Sequence, residues 1–147
     1  NPAAQKVNRI VRSALGRFLY LRMNASPKFL LKSAFADKRN LTKSIHRHYI
    51  HVFPDKKSRH GLLKLAENLV GSTEWYALQW QQMDRIAQKP FLIVWGMKDN
   101  FIGPDYLKAW EQRLENVREV VWLENVGHFV QEEGTESLTN AITKFCN

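Results

Sequence analysis

From Val7 onward, apolar residues recur at helical spacing, at Ile10, Val11, Ala14, Leu15, Phe18 and Leu19, with Lys6, Arg9, Arg12 and Arg17 between them. The spacing predicts a basic amphipathic helix, suited to lie on a core and also the type that binds membrane surfaces or partners. Phe29, Leu30 and Leu31 form a second apolar stretch after Pro27, and Asn40-Leu41-Thr42 offers a cap for a helix through Ile45 and Tyr49 that Pro54 ends. Leu62, Leu63, Leu65, Ala66, Leu69 and Val70 predict a further helix stopped at Gly71, and Ser72 or Thr73 can start another over Trp75 to Ile86. In that last helix Tyr76, Trp80 and Met83 share one face, the pattern of a core or pocket wall. Everything to about Gln88 reads as helical.

At Pro90 the pattern changes. Phe91-Leu92-Ile93-Val94-Trp95 is a continuous β-branched and aromatic run of the kind buried on both faces of a parallel sheet. Gly103-Pro104 opens a helix whose buried side carries Leu107, Trp110 and Leu114, and Val120-Val121-Trp122-Leu123 is the next strand. Leu138, Ala141, Ile142 and Phe145 give a closing helix. This βαβα ending predicts the α/β class, with a doubly wound, mostly parallel sheet after a helical region: residues 1–88 as a helical cap and 89–147 as part of the sheet core.

Charge sharpens that division. The chain of 147 residues has a formal charge of +8, but residues 1–60 hold 14 Lys or Arg against 2 Asp or Glu, whereas residues 61–147 hold 8 against 12. The basic residues follow no helix-turn-helix or aromatic RNA-binding pattern, so nucleic acid is not an expected partner. The one cysteine, Cys146, has no partner for a disulfide, no apolar run reaches the ~20 residues that cross a bilayer, and no signal-peptide pattern opens the chain. A cytoplasmic setting is the expectation. His46, His48 and His51 form an H-x-H-x-x-H cluster, but positions 46 and 48 fall on different faces of a helix, so no metal and no cofactor is expected. Asn24-Ala25-Ser26 and Asn40-Leu41-Thr42 match the glycosylation triplet, which matters only in a secreted eukaryotic setting.

The chemistry sits just past the two strands. Trp95-Gly96-Met97-Lys98-Asp99 follows the first, and Gly127-His128-Phe129-Val130-Gln131-Glu132-Glu133 follows the second. Residues beyond the C-terminal ends of parallel strands converge on one crevice, so Asp99 and His128 become candidate partners. A carboxylate that accepts from one imidazole nitrogen fixes the tautomer and leaves the other nitrogen to act as general base.

An Asp and then a His at such positions resembles the last two members of the nucleophile, acid and histidine series of α/β-hydrolases. Continuing to Gly103-Pro104-Asp105, and taken with Gly127-His128-Phe129-Val130-Gln131-Glu132, the two motifs are similar to the haloalkane dehalogenase branch over about Lys89 to Phe145. Ile45-His46-Arg47-His48-Tyr49 and Glu74-Trp75-Tyr76 resemble its cap regions. The resemblance implies that Asp99 is the catalytic acid and His128 the general base, and that an upstream Asp attacks a halide-bearing carbon to give an ester which water, activated by His128, hydrolyses.

Neither G-x-S-x-G nor G-x-D-x-G occurs in the sequence, and Asn rather than Met stands first. The expectation is therefore the second half of an enzyme, inactive alone. Its partners would be a small-molecule substrate and either the missing N-terminal half or a second copy of the chain by domain swapping. Two alternatives stay open: an epoxide hydrolase or carboxylesterase using the same pair, and a non-catalytic helical interaction module carrying a degenerate hydrolase remnant.

Overall fold

In the computed structural model, which describes residues 8–147, Ser13 interrupts what the apolar spacing reads as one helix. Lys6 and Val7, where that pattern begins, lie outside the described residues. Residues 8–12 are helical, and α1, Ala14–Leu21, starts afresh with Ser13 as its N-cap. The Ser13 hydroxyl donates to the Ile10 carbonyl at 2.6 Å and accepts from the Gly16 amide at 3.1 Å, so a short polar side chain replaces the helical hydrogen bonds it breaks. A Cβ on Gly16 would collide with the carbonyls of Ile10 and Val11, so only glycine lets the two helical pieces turn this closely.

A π-helical stretch, Ser26–Leu30, leads into α2, Leu31–Ala34. Then come α3 (Lys43–His51), α4 (Lys56–Gly71), α5 (Thr73–Gln81) and a 3₁₀ turn, Gln82–Arg85. The α4 helix begins well before its first leucine because Asp55 and Ser58 form a capping box: the Asp55 carboxylate accepts from the Ser58 amide at 2.8 Å, and the Asp55 amide donates to the Ser58 hydroxyl at 3.3 Å.

The chain divides into two compact units. The first holds the described residues up to Leu31 together with Lys43–Trp80. Its buried cluster is Val11, Leu21 and Leu63, with Tyr20 and Ala66 against it. Asn24, 1% exposed and in the left-handed region at φ 53°, donates its amide to the carbonyls of Phe53 at 3.2 Å and Ile50 at 3.5 Å. The Arg59 guanidinium donates to the carbonyls of Leu21, Arg22, Phe53 and Pro54. These polar side chains tie the chain after α1 to the start of α4.

The second unit joins Lys32–Thr42 to Gln81–Asn147. Its strands are β1, Phe91–Gly96, and β2, Val117–Leu123. They pair in parallel, with Trp95 opposite Trp122 and Gly96 opposite Leu123. The crossover helix α6, Pro104–Arg113, has Gly103 as its N-cap and proline in its first turn. Short α7 (Val130–Glu133) and closing α8 (Thr135–Cys146) follow β2. The core is Ile93, Leu107 and Leu114, covered by Met83, Phe91, Trp95, Met97, Trp110, Val117 and Val120. The expected βαβα ending is thus present, with β2 beginning three residues earlier than its apolar run, at Val117. Trp122 stays 56% exposed and Ile142 46%, so the apolar stripe of α8 is only partly covered. Among the described residues no helix is long and apolar enough to cross a membrane.

Candidate active site

Parallel pairing brings the ends of β1 and β2 side by side; Gly96 decides how closely the loops beyond them approach, and Gly127 makes room for residues 34–36. A Cβ on Gly96 would collide with the carbonyl oxygen of Gly127 and lie 2.7 Å from that of Val126. Neither glycine has positive φ, so each is required here for space and not for backbone conformation. The Met97 amide donates to the Leu123 carbonyl and the Lys98 amide to the Val126 carbonyl, both at 3.0 Å, which extends strand-like pairing into the loops.

Asp99 sits where the β1 loop turns, its side chain 9% exposed. Oδ1 accepts the amides of Phe101 at 2.8 Å and Ile102 at 3.0 Å. The Trp95 indole N–H donates to the Ile102 carbonyl at 3.2 Å and pins that turn over the strand. With one oxygen held by backbone, the other is fixed in direction: Oδ2 lies 2.8 Å from Nδ1 of His128. An ionised carboxylate only accepts, so Nδ1 carries the hydrogen and Nε2 is the basic nitrogen. The His128 side chain is 35% exposed. Its ring meets Phe101 edge-on at 5.4 Å and Phe129 at 5.6 Å, and its backbone amide donates to the Ala34 carbonyl at 2.9 Å. Together with Val94, Trp95, Gly96, Ile102 and Val130, the pair lines an open cleft of about 200 Å³.

Chemically, this arrangement can take a proton at Nε2 and hold the resulting imidazolium against a buried carboxylate. The structure brings together the two residues that the sequence singled out. It does not assemble the histidine cluster: the His46 ring is engaged by the Pro27 carbonyl at 2.8 Å, and among the described residues no group of three His, Cys, Asp or Glu is placed to hold a metal. The helix expected over Trp75 to Ile86 ends at Gln81, so its expected face is split: Met83, in the 3₁₀ turn, packs on the sheet core, whereas Tyr76 and Trp80 on α5 are 44% and 37% exposed. Asn24 is too buried to serve as a glycan acceptor.

Sequence reasoning did not single out Phe101, the contacts of Ala34, or Glu133 as an individual residue. Glu133 accepts the amides of Gly127 at 2.8 Å, Ala36 at 3.0 Å and Asp37 at 2.9 Å. The glycine directly before His128 was visible in the sequence; the partner it makes room for was not.

Residues 8–135 match the sequence family described as alpha/beta hydrolase fold. The chain is 23% identical over 141 residues to Haloalkane dehalogenase 2 of Mycobacterium bovis and, equally, of Mycobacterium tuberculosis, covering 95% of this chain and 49% of each relative. The chain spans about half the length of the curated relatives it matches. Among solved structures it is similar to a loop variant of haloalkane dehalogenase DbeA from Bradyrhizobium elkanii (TM-score 0.79, 21% identity, 98% of this chain and 49% of that one). It is also similar to DbeA itself (TM-score 0.80, 20% identity, 99% and 51%). At such identities the likeness is one of fold.

Proposed function

The chain belongs to the α/β-hydrolase fold family, and from that premise we propose that it supplies the acid and base of a hydrolase like the haloalkane dehalogenases, with Asp99 as the acid and His128 as the general base. The observation that carries this reading is the 2.8 Å hydrogen bond between Asp99 and His128 just beyond two adjacent parallel strands. In the reaction, an Asp nucleophile supplied from outside these 147 residues displaces halide from carbon and forms an ester. His128 Nε2 then takes a proton from water as the water oxygen adds to the ester carbonyl carbon. The bond between the acyl carbon and the alkoxy oxygen then breaks, that oxygen takes the proton back from Nε2 and leaves as the alcohol, and the nucleophile's carboxyl group loses the other water proton to solvent and is restored as carboxylate. Asp99 keeps the imidazole in the productive tautomer throughout and stabilises its charged form.

In this reading the helical residues to about 88 form the cap and residues 89–147 the end of the core. The remainder of the fold, from the N-terminal half or a second copy, covers the apolar surface that Leu15 (62% exposed) and Phe18 (53%) leave open on the helical unit and the one that Trp122 (56%) leaves open on the sheet unit. A compact monomer of this chain by light scattering would remove that requirement.

The test is halide release from a short bromoalkane by the protein that contains this chain, beside hydrolysis of a simple ester and an epoxide. Asp99→Asn and His128→Ala are each expected to lower turnover by about 10⁴-fold. Full activity in both variants would defeat the assignment. Loss of ester or epoxide turnover with no halide release at any stage would keep the pair and replace the substrate class.

A further inference from the structure

We propose that Glu133 is a positioning residue for His128, aiming the imidazole at Asp99 through the backbone it binds. The proposal rests on the acid–base reading above. Glu133 Oε2 accepts the amides of Gly127 and Ala36, and Oε1 accepts that of Asp37, with the Asn40 side-chain amide at 3.5 Å. One carboxylate therefore ties the residue immediately before His128 to the 36–37 turn. His128 is tied to the same segment by its own amide, 2.9 Å from the Ala34 carbonyl. Two consecutive residues are thus fixed to one loop, and the Phe35 and Phe129 rings stack beside them at 5.3 Å.

Glycine at 127 is what permits this. A Cβ there would lie 2.5 Å from the Ala34 oxygen, 2.6 Å from the Ala36 nitrogen and 2.8 Å from Glu133 Oε2. Glu133 does not line the cleft shared by Asp99 and His128, so its influence passes through the backbone and not through contact with reactants. The task needs a carboxylate. Its two oxygens offer about four acceptor positions and no donor, matching three amides and a side-chain N–H. Glutamine has the same size, but it turns an NH₂ towards at least one of those donors and leaves a backbone N–H unsatisfied. The shift that follows is delivered one residue from the ring, where a small displacement degrades a proton transfer more than it degrades binding.

The experiment follows the low-field Nδ1–H proton resonance of His128 in the protein containing this chain, assigned by its loss in His128→Ala. Wild type, Asp99→Asn and Glu133→Gln are compared, with kcat and KM measured in parallel. In E133Q the resonance should move upfield or broaden, and kcat should fall about tenfold with KM within about twofold. An unchanged resonance and kcat, whatever happens to the melting temperature, would overturn the proposal and leave Glu133 a simple loop staple. A resonance absent in the wild type, or unmoved by Asp99→Asn, would overturn the acid–base reading and this proposal with it. Should E133Q fail to fold, Glu133→Asp keeps the charge but is one methylene short of spanning both segments. The same change in the resonance is expected there, and an unchanged one overturns the proposal equally.

Discussion

In the helical unit the polar side chains do much of the fastening: around Val11, Leu21 and Leu63, the amide of Asn24 and the guanidinium of Arg59 reach backbone carbonyls at the ends of helices. In the sheet unit backbone meets backbone. Parallel pairing runs from Phe91 to Leu123, Gly96 lets the two following loops come into direct contact, and Gly127 admits the backbone of residues 34–36, all beside a broader core. The two styles differ in what they fix. Long side chains capping carbonyls leave the helical surface free to vary, and Leu15, Leu65 and Leu69 remain exposed there. Backbone contact without an intervening side chain holds the loops directly against one another, and the Asp99 carboxylate and His128 imidazole that lie 2.8 Å apart are carried on those loops.

The largest stability effect expected within the described core tests whether the two units are separable. Leu63 has no exposed surface, and Leu63→Ala should cost about 3 kcal/mol through lost transfer energy and the cavity left behind. Amide exchange in α4 should accelerate while that of β1 and β2 stays slow. Equal acceleration in both would mean that the units open together, and the contrast between them would fail.

The reciprocal substitution is Gly96→Ala. Its new methyl has nowhere to go, since the obstruction is the Gly127 and Val126 carbonyls and not a flexible side chain. A cost of about 2 kcal/mol in urea unfolding is expected, and under the proposed acid–base reading turnover by the protein that contains this chain should fall further than that loss explains, because the two loops are driven apart. Wild-type activity in G96A would show that loop contact does not set the geometry of the pair.

Much of the sheet unit was legible in the sequence. A five-residue apolar run between Pro90 and Gly96 reads as a buried strand because burial on both faces removes alternation, and β1 spans Phe91–Gly96. Asp99 and His128 could be paired because residues just beyond the C-terminal ends of adjacent parallel strands converge on one crevice, and an acid followed by a histidine matches the α/β-hydrolase order. The helical unit hid its boundaries in polar residues. Lys56 to Gly61 carry no apolar periodicity, yet they are helical because Asp55 and Ser58 cap them. Ser13 breaks a helix that the apolar spacing would continue, since spacing measures which face is buried and is blind to a hydroxyl that replaces two backbone bonds. The association of Lys32–Thr42 with the sheet unit, and the hold of Glu133 on it, connect residues more than ninety positions apart. No local pattern encodes such a contact.

That same segment gives the smallest effect, one that depends on pH. Asp37 pairs with Arg39, whose Nε and Nη2 lie 2.6–3.0 Å from its carboxylate oxygens. The Arg39 side-chain hydrogen bonds, then the Arg39 amide and the nearby positive charge, hold the Asp37 carboxyl well below its usual value, at about 2. Because the folded value lies below the unfolded one, the pair stabilises the fold above about pH 4 and loses that contribution as pH falls towards 2. The pair is exposed, with the Arg39 side chain 90% accessible, so salt screens it and the gain stays small. Asp37→Asn should therefore unfold slightly more easily than the wild type at pH 7 in low salt. The gap should narrow as the pH approaches 2, and it should shrink at 1 M salt. A gap that persists unchanged at pH 2 would mean that Asp37 acts through the shape of the loop that Glu133 holds, in the manner of the sheet unit, and not through charge.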